Sequence, residues 1–200
     1  MAIKFQYNKT SLQYLNKQLL VRVRTLPTIK NKESALRIEV KKARDKAHEL
    51  EEKVQVKFKY YEEMIRMWAE FDPSLIAIKD VRFSVKKIAG VKTPVFEEVV
   101  FKIREFSLFN TPAWFPEGIE IIKEFVRLDL EEEFFYRKMH LLEYARKKTT
   151  QKVNLYEKVQ IPGYEEAILK IKRFLEDEEN LAKSSQKIVK TRQQEAEAAA

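Results

Sequence analysis

The stretch Lys148-Thr149-Thr150-Gln151-Lys152-Val153-Asn154-Leu155-Tyr156-Glu157-Lys158-Val159-Gln160-Ile161-Pro162, with the residues that follow it, carries the clearest architectural signal in the chain. It reads as part of a long C-terminal helix. Ile161, Tyr164, Ile168, Ile171, Leu175, Ala182 and Val189 recur at steps of three and four, with Glu178 and Ser185 the only polar intruders. Such spacing keeps one apolar stripe on one side of a helix for several turns, the pattern of packing along a partner helix rather than into a globular core. The chain therefore needs a second helix of similar length.

That helix is found at the other end of the sequence. Thr10 followed by Gln13 has the form of a capping box, which predicts a helix start there. From Leu12 the same spacing runs through Leu15, Leu19, Leu26, Ile29, Leu36, Val40, Ala43, Ala47, Leu50, Val54, Tyr61, Met64 and Trp68, interrupted only by Arg22, Glu33 and Lys57. At ~1.5 Å per residue, Leu12 to Trp68 would measure roughly 85 Å, more than a compact domain needs. Pro27 falls inside this run, where it removes a backbone hydrogen bond and crowds the carbonyl of Val23. Because the stripe keeps its register from Leu26 to Ile29, a bent continuous helix is expected rather than two helices.

Asp72-Pro73-Ser74 stops the helical pattern. Val81, Phe83 and Val85 then alternate with polar residues, as do Val99, Phe101 and Ile103, which predicts two strands. The segment Ile88 to Pro94 between them predicts a hairpin with a long or bulged connection rather than a tight turn. Helical spacing resumes at Ile119, Ile122, Val126, Leu130 and Phe134. The expected organisation is a shaft helix over 1–72, a β-hairpin lobe over 73–117, a short helix over 118–135 leading into the C-terminal helix, and a second shaft helix over 136–200. Together these make one non-globular, mainly α domain: a long antiparallel two-helix coiled coil of the terminal helices, with a small β-hairpin and a short helix in the central lobe.

Composition agrees with long solvated helices. Three glycines and six prolines punctuate little of 200 residues, and 35% of residues are charged. The absence of cysteine excludes disulfides and thiolate metal sites. No apolar run is long enough to span a membrane, and Met1 to Lys9 lacks the apolar core of a secretory signal, so a cytoplasmic protein without membrane insertion is expected. The net charge of +8 is uneven: seven basic residues (Lys4, Lys9, Lys17, Arg22, Arg24, Lys30, Lys32) and no acidic ones precede Glu33. Such a segment suits nucleic acid or an anionic membrane, a mitochondrial presequence, or a solvated helix face.

Catalytic chemistry finds no foothold. His48 and His140 lie far apart, and neither has a partner at ligand spacing. Consecutive Glu131, Glu132 and Glu133 point in different directions around a helix and read as a solvated face. Isolated Gly90, Gly118 and Gly163 build no phosphate-cradling loop, and no G-x-S-x-G elbow occurs. No metal, cofactor or enzymatic activity is expected. From the residues alone, a mechanical shaft, a prefoldin-like chaperone and an RNA-holding coiled-coil arm all suit a helical hairpin.

The stretch Lys148 to Pro162 closely resembles, without a gap, the K-T-x-R-R-V-N-A-L-E-x-x-x-I-P motif of the D subunit of V-type and archaeal A-type ATPases and ATP synthases, and Lys148, Thr149, Val153, Asn154, Glu157, Ile161 and Pro162 carry the match. Three further pieces agree in order: Ile168 to Glu178 resembles the family's Y-I-K-x-x-L-D-E-x-E run, Ile88 to Pro94 its M-G-V-x-V-P element, and Asn8 to Leu36 its opening helix. The chain departs from the pattern at Gln151 and Lys152, where the family often has two arginines, and at Pro27. A phenylalanine-rich lobe (Phe96, Phe101, Phe106, Phe109, Phe115) suggests a bacterial branch. The resemblance implies a non-catalytic rotor axle in a complex peripheral to the cell membrane, with no nucleic-acid partner. Its paired helices would enter the ring of catalytic A and B subunits, and its lobe would meet the central-stalk F subunit and the socket subunit of the membrane rotor ring. The seam then falls to Leu12, Leu15, Leu19, Leu36, Val40, Leu50, Val54, Ile161, Ile168, Ile171 and Leu175, and the partner-facing lobe to Phe83, Gly90, Val91, Pro94 and Phe96.

Overall fold

The structure, a computed structural model, describes residues 3–62, 65–107, 109 and 111–198. It is mainly α. Helix α1 spans Lys9–Tyr61 and a short α2 spans Ile65–Trp68, followed by a 3-10 turn at Pro73–Leu75. Strands β1 (Ile76–Ile88) and β2 (Val91–Ile103) come next, then α3 (Phe115–Asn154), a π-helical turn (Leu155–Gln160) and α4 (Ile161–Ala198). The fold is two long N- and C-terminal helical runs packed together, with a small antiparallel sheet between them in sequence. The chain divides into two compact units, one of Met1–Asn31 with Thr149–Ala200, the other Lys32–Lys148.

In the first unit α1 begins at Lys9, two residues earlier than the capping box at Thr10 predicts. Asn8 is the cap: its Oδ1 accepts from the Ser11 amide at 2.7 Å, and Ser11 Oγ accepts from the Gln6 amide at 3.4 Å. The start moves because Asn is the stronger cap and leaves Ser11 free to reach back. Pro27 lies within an unbroken α1. Contacts from α1 and its leading segment descend along α4 and into the π turn as α1 ascends: Tyr7 meets Phe174 of α4, and Arg22 and Lys30 meet Gln160 and Glu157 of the turn. This pairing is antiparallel. Its core is Leu15, Ala167, Ile168 and Ile171, flanked by Ile3, Phe5, Leu12, Leu19, Tyr164 and Leu175.

In the second unit the order is again antiparallel. Leu36, Val40 and Ala43 of α1 form a core with Met139 and Leu142 of α3, Glu51 bonds Tyr136, and Lys57 pairs with Glu124. A second cluster of Phe71, Leu75, Phe115 and Ile119 has Phe106 packed against it and gathers Trp68 and Trp114 around it in edge-on and tilted ring contacts. Gly118 is required there, since a Cβ would stand 2.8 Å from the Trp114 ring.

Three expectations for this unit are corrected. The first helix ends at Tyr61, not near residue 72, and Met64 lies outside the described residues; Asp72 opens the 3-10 turn instead, its carboxylate accepting from Ser74 N and Oγ at 2.9 and 2.8 Å. The helix over 118–135 is not a separate short element but the opening of the 40-residue α3, because no proline or glycine after Gly118 interrupts it. The hairpin connection is tight: Ile88 pairs with Val91 around Ala89 and Gly90 alone, both at positive φ (47° and 84°). Two positive φ values suit the right-handed strand twist, and Ala89 tolerates its conformation because Ile88, Ala89 and Val91 pack on the Leu36–Leu142 core. Bulges between Ile78 and Asp80 and between Arg82 and Phe83 interrupt the register.

Candidate functional site

The candidate functional surface is the seam along the helix faces. Of the residues expected along it, Leu12, Leu15, Leu19, Ile168, Ile171 and Leu175 lie together in the first unit's core. Leu36 and Val40 lie in the second, Leu50 is buried, and Val54 and Ile161 are half-buried. A fully buried aliphatic side chain contributes ~1.5–3 kcal/mol, so each cluster holds its helices firmly. On α4 the stripe is used only as far as Leu175. Ala182 and Val189 are exposed, as is every residue from Glu176 to Glu195, because α1 offers no turn beyond Lys9 to cover them. The residues of α3 that complete the second core, Tyr136, Met139, Leu142 and Ala145, were missed in the sequence, although Met139 and Leu142 carry the same three-residue step as the stripe.

The polar intruders in the α1 stripe are contact residues. Arg22 Nε donates to Gln160 Oε1 at 2.7 Å, and its guanidinium lies 4.5 Å from the Tyr164 ring centroid and 5.9 Å from that of Tyr156. Its Nη1 also donates to the Gln18 carbonyl and side chain at 3.0 and 2.7 Å. Lys57 pairs with Glu124, and Glu33 accepts from Arg37 at 3.1 Å. Lys30, off the stripe, bridges to Glu157 at 2.7 Å. Arg22 is therefore satisfied within the chain, which removes one of the seven cations from the basic N-terminal segment, while Lys30 makes an exposed surface pair.

The motif residues surround the π turn. Lys148 is exposed, with its ammonium 5.6 Å from the Tyr144 ring centroid; Thr149 and Val153 are half-buried; Asn154 closes α3; Glu157 holds Lys30. The π turn has a local cause. Pro162 has no N–H to give Lys158 and its ring crowds that carbonyl, while the Ile161 amide donates five residues back to Tyr156. Gly163 leaves room for Ile3, whose Cδ1 would lie 3.2 Å from a Cβ there.

The lobe residues divide. Val91 packs on the Leu36–Leu142 core and Gly90 sits at the exposed tip. Phe83 and Phe96 approach Phe134 of α3 at 5.9 and 5.6 Å between ring centroids, and Pro94 and Phe96 line a cavity of about 200 Å³ with Glu131, Phe134, Phe135 and Lys138. Helix α3 thus covers part of the ribbon, yet Phe83 stays 57% exposed near exposed Val85, and Ile78 and Ile103 are exposed toward the other end of the ribbon. Phe106 and Phe115 belong to the aromatic cluster, and Phe109 is fully exposed.

Electrostatics follow the helix surfaces. Hydrogen bonds from Lys53 and Lys46 hold the Glu49 carboxyl near 2. Burial, with the Glu51 charge behind it, pushes Glu132 up, and the Glu51 charge does the same to the Tyr136 phenol. Among the described residues no group of three or more His, Asp or Glu is arranged to hold a metal, and no helix is long and apolar enough to cross a membrane.

A family model for the ATP synthase D subunit matches residues 11–191. The chain is 31% identical over 191 residues to the D subunit of a V-type ATP synthase from Borreliella burgdorferi, covering 94% of each protein. It is 30% identical over 182 residues to that of Chlamydia muridarum, covering 88% of this chain and 90% of the relative. A Chlamydia pneumoniae relative of the same name is 31% identical over 183 residues, covering 88% and 87%.

Proposed function

Because the chain belongs to the ATP synthase D-subunit family, and so to a V-type ATP synthase complex, we propose that it is the central-stalk component that transmits torque between the catalytic A/B ring and the membrane rotor ring. It catalyses nothing itself and sits at the membrane only through the complex. The observation that carries this reading is the mating of α1 with α4 in the first unit and with α3 in the second, each through a buried apolar cluster. A shaft transmits torque only if its strands do not slide, and interdigitated cores resist sliding because every buried side chain would have to leave its site at once. Intramolecular engagement of the part-buried Arg22 favours a shaft over an RNA-holding arm, since its guanidinium is held by Gln160 and Gln18.

The lobe is proposed as the docking surface for the F subunit and the socket subunit, through Phe83, Pro94, Phe96 and the exposed apolar residues beside them. Affinity purification from cells co-expressing the complex tests both parts. The full chain is expected to retain the A, B, F and socket subunits while hydrolysing no ATP when isolated, and a form lacking 75–109 to keep A and B but lose a stalk partner. Hydrolysis by the isolated chain contradicts the non-catalytic role. Retention of both stalk partners by the shortened form moves docking to the helices.

A further inference from the structure

The apolar phase of the C-terminal helical run changes at the π turn. Along α4 the inward positions Tyr164, Ile168, Ile171 and Leu175 alternate steps of four and three, but Tyr156, Gln160, Tyr164 and Ile168 are three successive steps of four. Three fours in a row carry the stripe off a 3.5-residue seam, and a π turn, which bonds five residues back, absorbs the surplus. Pro162 explains why the α-helical hydrogen bond fails there, but not why the turn stays closed in one register.

Arg22 supplies the missing part. It occupies an inward position of α1 where the stripe would otherwise be apolar, and it contacts Tyr156 and Gln160 inside the turn and Tyr164 in the first residues of α4, three consecutive positions of the run. Gln18 holds the guanidinium from behind through two hydrogen bonds, so the planar fork is fixed before it meets α4. A lysine offers neither the fork nor the flat face for Tyr164. We propose that Arg22 is the positioning residue that sets the register of α1 on the helical run across Leu155–Gln160, reading the π turn as a shape. The inference stands on the geometry of the first unit and does not depend on the stalk function.

Amide hydrogen exchange on the full-length chain tests it, comparing the parent with Arg22→Ala, Arg22→Lys and the exposed neighbour variant Arg24→Ala. Loss of a charge-assisted hydrogen bond and a cation–ring contact is expected to speed exchange at the Ile161 amide by about tenfold or more. Ile171 and Leu15 should keep their rates, Arg22→Lys should remain fast, and Arg24→Ala should match the parent. If Arg22→Ala does not fold, Gln160→Ala, which removes only the acceptor, serves the same comparison. The proposal is overturned by parent-like protection at Ile161 in Arg22→Ala, by full recovery in Arg22→Lys, or by equal acceleration at Ile161, Ile171 and Leu15.

Discussion

Val40 and Lys41 are neighbours with opposite fates: the valine is 6% exposed between α1 and α3, and the lysine is solvated. Val40→Asp places an unpaired charge in the Leu36–Leu142 core and is expected to cost about 3–5 kcal/mol, against less than about 0.5 kcal/mol for Lys41→Asp. Thermal melting by circular dichroism reads the difference, and reversed effects would contradict the register. Glu132 gives a pH test. Its folded value is raised, first by burial and then by Glu51, so its ionisation opposes folding. That penalty is absent below the ordinary carboxylate range and present in full once pH exceeds the folded value. Glu132→Gln should therefore melt above the parent at neutral pH and with it near ~pH 3, below the usual Glu value of ~4.3. A parent that is the more stable at neutral pH contradicts the assignment. The apolar stripe was legible from Leu12 to Leu50 and from Tyr164 to Leu175 because periodicity reports which face can be buried, whereas Ala182 and Val189 kept the spacing without a helix opposite them. The roles of Arg22 and Lys57 were not, because a charged residue on an apolar face looks like an interruption until its partner, far away in sequence, is placed opposite it.

At the level of elements, the hairpin and the long helices were legible and their ends were not. Strand alternation marked only the middle of β1 and the last third of β2, since a ribbon leaning on α3 with one face does not need strict alternation along all 13 residues of each strand. The tight Ala89-Gly90 turn was obscured by Pro94, which suggested an irregular loop but sits within β2 opposite Val85. Gly90 has φ of 84° and open space about it, the nearest atom to an added Cβ being the flexible Lys32 Nζ at 3.5 Å. Gly90→Ala is thus a test of backbone conformation alone, expected to cost about 1–2 kcal/mol, with Gly90→Asn costing less because Asn tolerates positive φ. Chemical denaturation would contradict the turn if Gly90→Ala kept the parent midpoint. The π turn was hidden for a different reason: Pro162 announced a disturbance, but whether a helix answers with a break, a kink or an extra residue depends on what the facing helix holds in place.

For the whole molecule, sequence showed the pairing of terminal helices because a 3.5-residue apolar spacing sustained over many turns has few other outlets. It did not show that the chain gathers into two compact units, which depends on where aromatic and aliphatic side chains from distant segments collect. The torque role proposed above requires the chain to turn inside the A/B ring. With no cysteine in the sequence, Lys79→Cys creates a single attachment point on an exposed residue that the β1–β2 register skips at a bulge. A bead joined there, with the A/B ring of the assembled complex fixed to a surface, is followed while ATP is added. Directed rotation in one sense, stopping when ATP is withdrawn, is the expected result. Sustained ATP hydrolysis with only undirected fluctuation of the bead would contradict it.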